Sequence, residues 1–264
     1  MYNEDVIILC KSYYHLGSVD MENNLNSNFE KKNKPNFFRK ILSFLAKYGA
    51  PLTNLIILLN LIVFVFSSLD SSQLLLRYGA SVNVLVYNGE MWRLLSSIFL
   101  HGGIAHLLLN MYSLYNLGNL TERIFGSTRF VFIYFVSGLF GNLVSTLLTS
   151  PNSQIFSVGA SGAIFGLVGA ILYLGMRSPQ FFKKVAGTQF LIVVVANLVI
   201  GQMTPYIDNL AHIGGMVGGF LASWAIGLSK DIPDTTSKII KVLLIIVTVA
   251  CLCKIAFTQV PLPF

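Results

Sequence analysis

Seven apolar stretches, each close to the length of a bilayer-spanning helix, dominate this chain. They run at roughly 51–69, 102–120, 128–149, 158–176, 187–206, 211–229 and 239–257. A helix needs about 20 apolar residues to cross the hydrocarbon core. Lipid offers no partner to a free backbone N–H or C=O, so a spanning segment is a helix or part of a closed barrel. No period-2 barrel alternation appears. The expected fold class is an all-α polytopic membrane protein. Composition agrees: only 11% of the 264 residues are charged, against about 25% in soluble domains. A cytosolic enzyme, a nucleic-acid binder and a disordered regulator are thereby excluded.

The net charge of +7 is no nucleic-acid footprint. Lys11, Lys31, Lys32, Lys34, Arg39, Lys40 and Lys47 all precede the first apolar run and read as a cytoplasmic segment facing anionic lipid. Residues 1–40 are polar and mixed in charge, unlike a signal peptide, and the Asn-rich stretch at 23–34 fits a flexible arm. Three divisions follow: a cytoplasmic segment over 1–50, a six-span core over 51–229, and a linker, seventh span and short outer tail over 230–264. Cys10, Cys251 and Cys253 imply no disulfide framework.

Positive charge sets the orientation. With the N-terminus inside, all of the 18 basic residues except Arg77, Arg93 and Lys254 fall on the inner side. The second, fourth and sixth spans then start at the outer face. The outer connection 70–101 is long enough to carry structure of its own. Within it, Trp92 and Arg93 suit the membrane interface as an amphipathic aromatic and a snorkelling cation.

Ionisable groups within spans are costly, so each needs a reason. His101, His106 and His212 all lie at outer ends of spans two and six. His106 and Asn110 share a helix face at i, i+4. His101 and His106, five residues apart, would lie on different faces of a continuous helix, and no Asp, Glu or Cys completes a set. No metal site is expected. Glu122 and Arg123 fall at the inner end of span two and read as structural. Asn142, Asn197 and Gln202 read as interhelical hydrogen-bonding groups.

Gly159-Ala160-Ser161-Gly162 opens span four and is loosely like a nucleophile elbow, although that context requires a strand before and a helix after. Gly159, Gly162, Gly166 and Gly169 are spaced 3, 4 and 3 apart, as are His212, Gly215, Gly219 and Ala222 in span six. Small-residue stripes permit close helix approach. If these faces pack, Ser161 and His212 lie at similar depth, and His106 and Asn110 can join their cavity. A weak hydroxyl nucleophile, a base and two side-chain donors are the ingredients of acyl transfer. No carboxylate obviously orients His212, since Asp208 falls in the outer loop, so a dyad fits better than a triad.

These residues resemble the rhomboid intramembrane serine proteases. The resemblance covers roughly 50–229 and rests on ordered motifs: Glu90-Met91-Trp92-Arg93-Leu94-Leu95, then Phe99-Leu100-His101-Gly102-Gly103-Ile104-Ala105-His106 through Asn110-Met111, then Gly118 with Glu122, Gly159-Ala160-Ser161-Gly162-Ala163, and Ala211-His212-Ile213-Gly214-Gly215. It implies a six-helix rhomboid core, to which the seventh helix is an addition. Ser161 is similar to the family's nucleophile and His212 to its base and later acid. Asn110 and His106 resemble the oxyanion-stabilising side chains, assisted by the Ser161 N–H. Trp92 and Arg93 match the outer-loop motif. The family cleaves single-span membrane proteins near the outer boundary without a cofactor. Phe165 stands where some members carry Tyr, and either ring could pack on His212. The expected location is a bacterial plasma membrane, with the site opening to the outer face. Span five, lacking a glycine stripe, is the candidate lateral gate. Intact Ser161, His212 and Asn110 weigh against a client-binding pseudoprotease. The lack of acidic residues inside the spans weighs against a transporter.

Overall fold

The structure, a computed structural model, describes residues 50–151, 156–185, 194, 207–227 and 235–258. All belong to one compact unit, Leu45–Phe264. The N-terminal segment and the fifth span, 187–206 (Val194 apart), lie outside the described residues, and with them the candidate gate.

The described elements are α1 (Pro51–Leu69), α2 (Leu74–Gly79), β1 (Ser81–Val82), α3 (Asn83–Tyr87), α4 (Arg93–Ser96) with a 3-10 turn (Ser97–Phe99), α5 (Ile104–Phe125), α6 (Ser127–Leu148), β2 (Phe156–Ser157), α7 (Ser161–Arg177), α8 (Pro179–Val185), α9 (Asn209–Ile226) and α10 (Thr235–Thr258). By length and apolarity alone, α1 and α6 suffice to cross a membrane. The bent pair formed by α4 with its turn and α5 adds a third if taken as one span. α7, at 17 residues, is at the short end of the spanning range. The chain is an all-α integral membrane protein.

In α1 only Thr53, Ile56 and Asn60 are buried, one stripe at helical spacing. Leu58, Leu61, Ile62, Val65 and Phe66 are exposed, the pattern of a helix whose outer face is solvated by lipid. Its first turn is held by Glu122 near the far end of α5. The carboxylate accepts from Leu52 N at 3.1 Å and from Thr53 N and Oγ1 at 2.8 Å each. Ser127 Oγ donates to it at 2.6 Å. A helix start leaves N–H groups without acceptors, and its dipole favours an anion. Glu122→Ala removes this anchor and leaves buried donors unpaired. The expected loss of stability is about 2–3 kcal/mol, measured by unfolding in mixed micelles. An unchanged midpoint would mean that the anchor is dispensable.

One residue, Gly126, links α5 to α6. Its φ of +84° is a left-handed conformation that suits glycine and lets the chain reverse between antiparallel helices. The core lies between α6, α7 and α9, with Phe130, Ile133, Tyr134, Ala163, Leu167, Ala170 and Ala222 almost fully buried. α7 is the central element, with 11 of its residues buried.

The small-residue stripes of α7 and α9 face each other. A Cβ on Gly215 would run into the Gly162 carbonyl, one on Gly219 into that of Gly166, and one on Gly169 into that of Met216. On α6, a Cβ at Gly141 would stand 2.5 Å from the Ala211 carbonyl oxygen. Backbone meets backbone on both sides of α9.

The connection 70–101 folds back on itself. Its Arg93 corrects the expectation of a snorkelling cation, because it is 2% exposed. The guanidinium pairs with Glu90 at 2.6 Å and donates to the carbonyls of Arg77 and Ala80 at 2.8 Å each. Arg93 thus cross-links the loop from within: Nη1 serves the two carbonyls while Nε and Nη2 hold the Glu90 carboxylate. Trp92 is exposed and donates from Nε1 to the Tyr78 carbonyl at 3.1 Å. β1 pairs antiparallel with β2, Ser81 opposite Ser157. Asn142 of α6 donates to Leu94 O at 2.7 Å and Ser97 Oγ at 3.0 Å. From the other side, Val249, Leu252 and Cys253 of α10 pack against Val86, Leu94 and Leu143.

Candidate active site

Ser161 is the first residue of α7. The chain reaches it through β2 and Gly159, whose φ is +129°. A short strand precedes the serine and a helix follows it, the context that a nucleophile elbow requires. Gly159 also needs correction: it precedes the helix and takes no part in the α7–α9 stripe. A Cβ there would lie 2.8 Å from His106 Cε1, 2.9 Å from His106 Nε2 and 3.8 Å from Asn110 Nδ2. The missing side chain leaves room beside both donor groups. The Gly159 N–H donates to Ser97 O at 2.9 Å, which ties this turn to the connecting loop.

Ser161 Oγ lies 2.9 Å from His212 Nε2, a hydrogen bond across 51 residues of sequence. His212 is 8% exposed and sits in the first turn of α9. Phe165, one turn after Ser161, stacks on the imidazole at 4.3 Å between ring centres and 12° between planes. Nδ1 has no hydrogen-bond partner among the described residues. No carboxylate among the described residues hydrogen-bonds to the ring.

His106 and Asn110 lie on one face of α5, and Asn110 Nδ2 donates to His106 O at 3.0 Å. That bond uses one amide hydrogen and leaves the second. As the first residue of α7, Ser161 also has a backbone N–H with no acceptor within the helix. His106, Asn110 and the Ser161 N–H thus offer donors around the turn at Gly159.

His101 shows why the face argument fails. The helix is not continuous there: the chain bends by 91° between Arg93–Phe99 and Ile104–Phe125. The two histidine rings meet edge to face at 5.3 Å. Among the described residues, no group of three or more His, Cys, Asp or Glu could hold a metal ion. Asp208, read as a loop residue, caps α9: its carboxylate accepts from Ala211 N at 2.9 Å. Its other oxygen accepts from Ser145 Oγ at 2.6 Å. Sequence reasoning missed Ser145, although Asp208 three residues before an apolar helical run is a recognisable cap signal.

The fold and this arrangement define a helical membrane protein with a serine–histidine pair among its packed helices. The Rhomboid domain family matches residues 88–229. The chain is 39% identical over 197 residues to "Rhomboid protease GluP" of Bacillus subtilis, covering 73% of this chain and 38% of that protein. It is 42% identical over 152 residues to "RHOMBOID-like protein 5" of Arabidopsis thaliana, covering 57% and 48%. With YdcA of Bacillus subtilis the identity is 34% over 183 residues, covering 69% of this chain and 91% of YdcA. The chain thus spans under half the length of the first two of these relatives. It belongs to the rhomboid family.

Proposed function

We propose that this protein is an intramembrane serine endopeptidase that hydrolyses peptide bonds in or near transmembrane segments of single-span membrane proteins. The observation that carries the reading is the 2.9 Å contact between Ser161 Oγ and His212 Nε2. A hydroxyl is a poor nucleophile at neutral pH and needs an adjacent base. In the proposed reaction, Ser161 Oγ attacks the scissile carbonyl carbon while its proton passes to His212 Nε2. The tetrahedral oxyanion accepts hydrogen bonds from Asn110, His106 and the Ser161 N–H. Collapse breaks the C–N bond, and His212 returns the proton to the leaving amine. Water, activated by His212, then hydrolyses the serine ester. Phe165 supports the ring's orientation by stacking. No cofactor or metal takes part.

The relatives' printed names support proteolysis, since GluP is called a rhomboid protease. The distribution of basic residues supports a cytoplasmic N-terminus, with the Ser161 end of the helices opening to the outer face of the membrane. The facing stripes of α7 and α9 support the reading, since their close packing brings the Ser161 and His212 ends of the two helices together.

The test is cleavage of a model single-span substrate in proteoliposomes, with EDTA in a parallel sample. Cleavage that persists with EDTA is expected. No cleavage across several substrates would favour a client-binding protein. Asn110→Ala is expected to lower kcat by about 10²–10³-fold with little change in KM, because an oxyanion donor acts in the transition state. A selective rise in KM would instead make Asn110 a substrate-binding group.

A further inference from the structure

We propose that Asp208, held by Ser145, is a positioning residue for His212: together they fix the first turn of α9 so that its imidazole stays on Ser161. The catalytic meaning rests on the protease reading above. Asp208 makes three bonds at this point. Its Oδ1 accepts from Ala211 N at 2.9 Å and its main-chain oxygen from His212 N at 3.2 Å. Its Oδ2 accepts from Ser145 Oγ of α6 at 2.6 Å. Ser145 is 4% exposed, so the bond is sheltered from competing water.

A helix cap needs only one carboxylate oxygen. The second oxygen here reaches another helix, which turns a local cap into a link between α6 and α9. The backbones below the link are already in contact, through Gly141 against Ala211. Those contacts set the distance between the helices, and small flat faces resist sliding and rotation weakly. The Ser145 bond is directional and supplies what the glycines lack.

His212 makes this matter. Among the described residues its Nδ1 has no hydrogen-bond partner, so none of their side chains aims the ring through that atom. Aim must come from the backbone that carries it and from the Phe165 stack. One residue of helical register is about 100° of rotation. Such a turn would take the ring off both Ser161 and Phe165.

The variants are Asp208→Asn, Asp208→Ser, Asp208→Ala and Ser145→Ala, studied in the full chain. Asn keeps an acceptor for Ala211 N and a partner for Ser145. Ser keeps the cap alone and is too short to reach α6. Two readouts are used: kcat and KM for a single-span substrate, and the 15N resonances of labelled histidine, which report the Nε2 hydrogen bond without catalysis. Asp208→Asn is expected to stay within about threefold of wild-type kcat, with its Nε2 signature intact. Asp208→Ala, Asp208→Ser and Ser145→Ala are expected to lose the signature and about 10- to 100-fold in kcat at similar KM, the scale of a misplacement near 1 Å. Thermal unfolding identifies a variant that fails to fold, and the others then carry the test.

The proposal is overturned if Asp208→Ser and Ser145→Ala keep wild-type kcat and signature. It is also overturned if Asp208→Asn falls as far as Asp208→Ala, since charge rather than tethering would then be at work. A wild type that cleaves nothing, yet shows an Nε2 signature lost in Ser145→Ala, would sink the protease reading and leave the positioning role standing.

Discussion

Ser161→Ala is expected to lower cleavage of a single-span substrate by on the order of 10⁴- to 10⁶-fold. In the proposed reaction, removing Oγ removes the atom that forms the ester and leaves His212 only water to deprotonate. The residual rate reflects binding and the remaining oxyanion donors. KM should change little, because Oγ contributes to the transition state more than to the ground state. The fold should survive, since the substitution deletes one oxygen at the start of α7 and alanine is a good helix former. The measurement is initial cleavage rate in proteoliposomes, with thermal unfolding as a folding control. His212→Ala should fall by a similar amount, and the double variant little further, because in the proposed reaction the two act as one unit. Strictly additive losses would show that they do not act in one step.

Gly215→Ala carries the other large effect, through packing. A Cβ at Gly215 would overlap the Gly162 carbonyl and stand 2.8 Å from its carbon. The obstacle is backbone, so no rotamer change relieves it, and α7 and α9 must part. Overpacking of this kind costs about 1–3 kcal/mol, occasionally more. Separating the helices also lengthens the Ser161–His212 distance, so activity should fall more than stability alone explains. Unfolding in mixed micelles measures the first effect and kcat of the folded fraction the second. Gly102→Ala is the control, since a Cβ there meets only Val158, at 3.9 Å. Equal stability of the two variants would mean that the α7–α9 contact is looser than its geometry implies.

Some of this was legible in advance and some was not, for identifiable reasons. The first apolar stretch, 51–69, coincides with α1, Pro51–Leu69. A lipid-facing helix is written directly in residue type, with few tertiary contacts to modify it. Span two, expected over 102–120, corresponds to α5, Ile104–Phe125. The chain bends before Ile104, and local hydropathy does not record a bend made between two apolar segments. His101 and His106, separated on paper, are neighbours for that reason. Arg93 was read by its type, as a cation at an interface, while its position is decided by carbonyls of Arg77 and Ala80 that point at it from the folded loop.

Gly159 teaches the same lesson at the site. Its spacing fits the α7 stripe, yet its φ of +129° takes it out of the helix and against His106. Spacing reports a face only where the helix exists. Asp208 and Ser145 lie 63 residues apart, and no periodicity links them.

By itself the sequence determined the apolar segments, their helical state and the two small-residue stripes. These follow from what lipid and close backbone approach demand of residue type. The ordered motifs also carried the resemblance to the family. The stripes also foretold that Ser161 and His212 lie at similar depth; tertiary structure alone decided where other groups distant in sequence meet: Gly159 with His106, Glu122 with the start of α1, and Asp208 with Ser145. Hydrogen bonds depend on distances of a few tenths of an ångström, and those are fixed only when whole helices have packed.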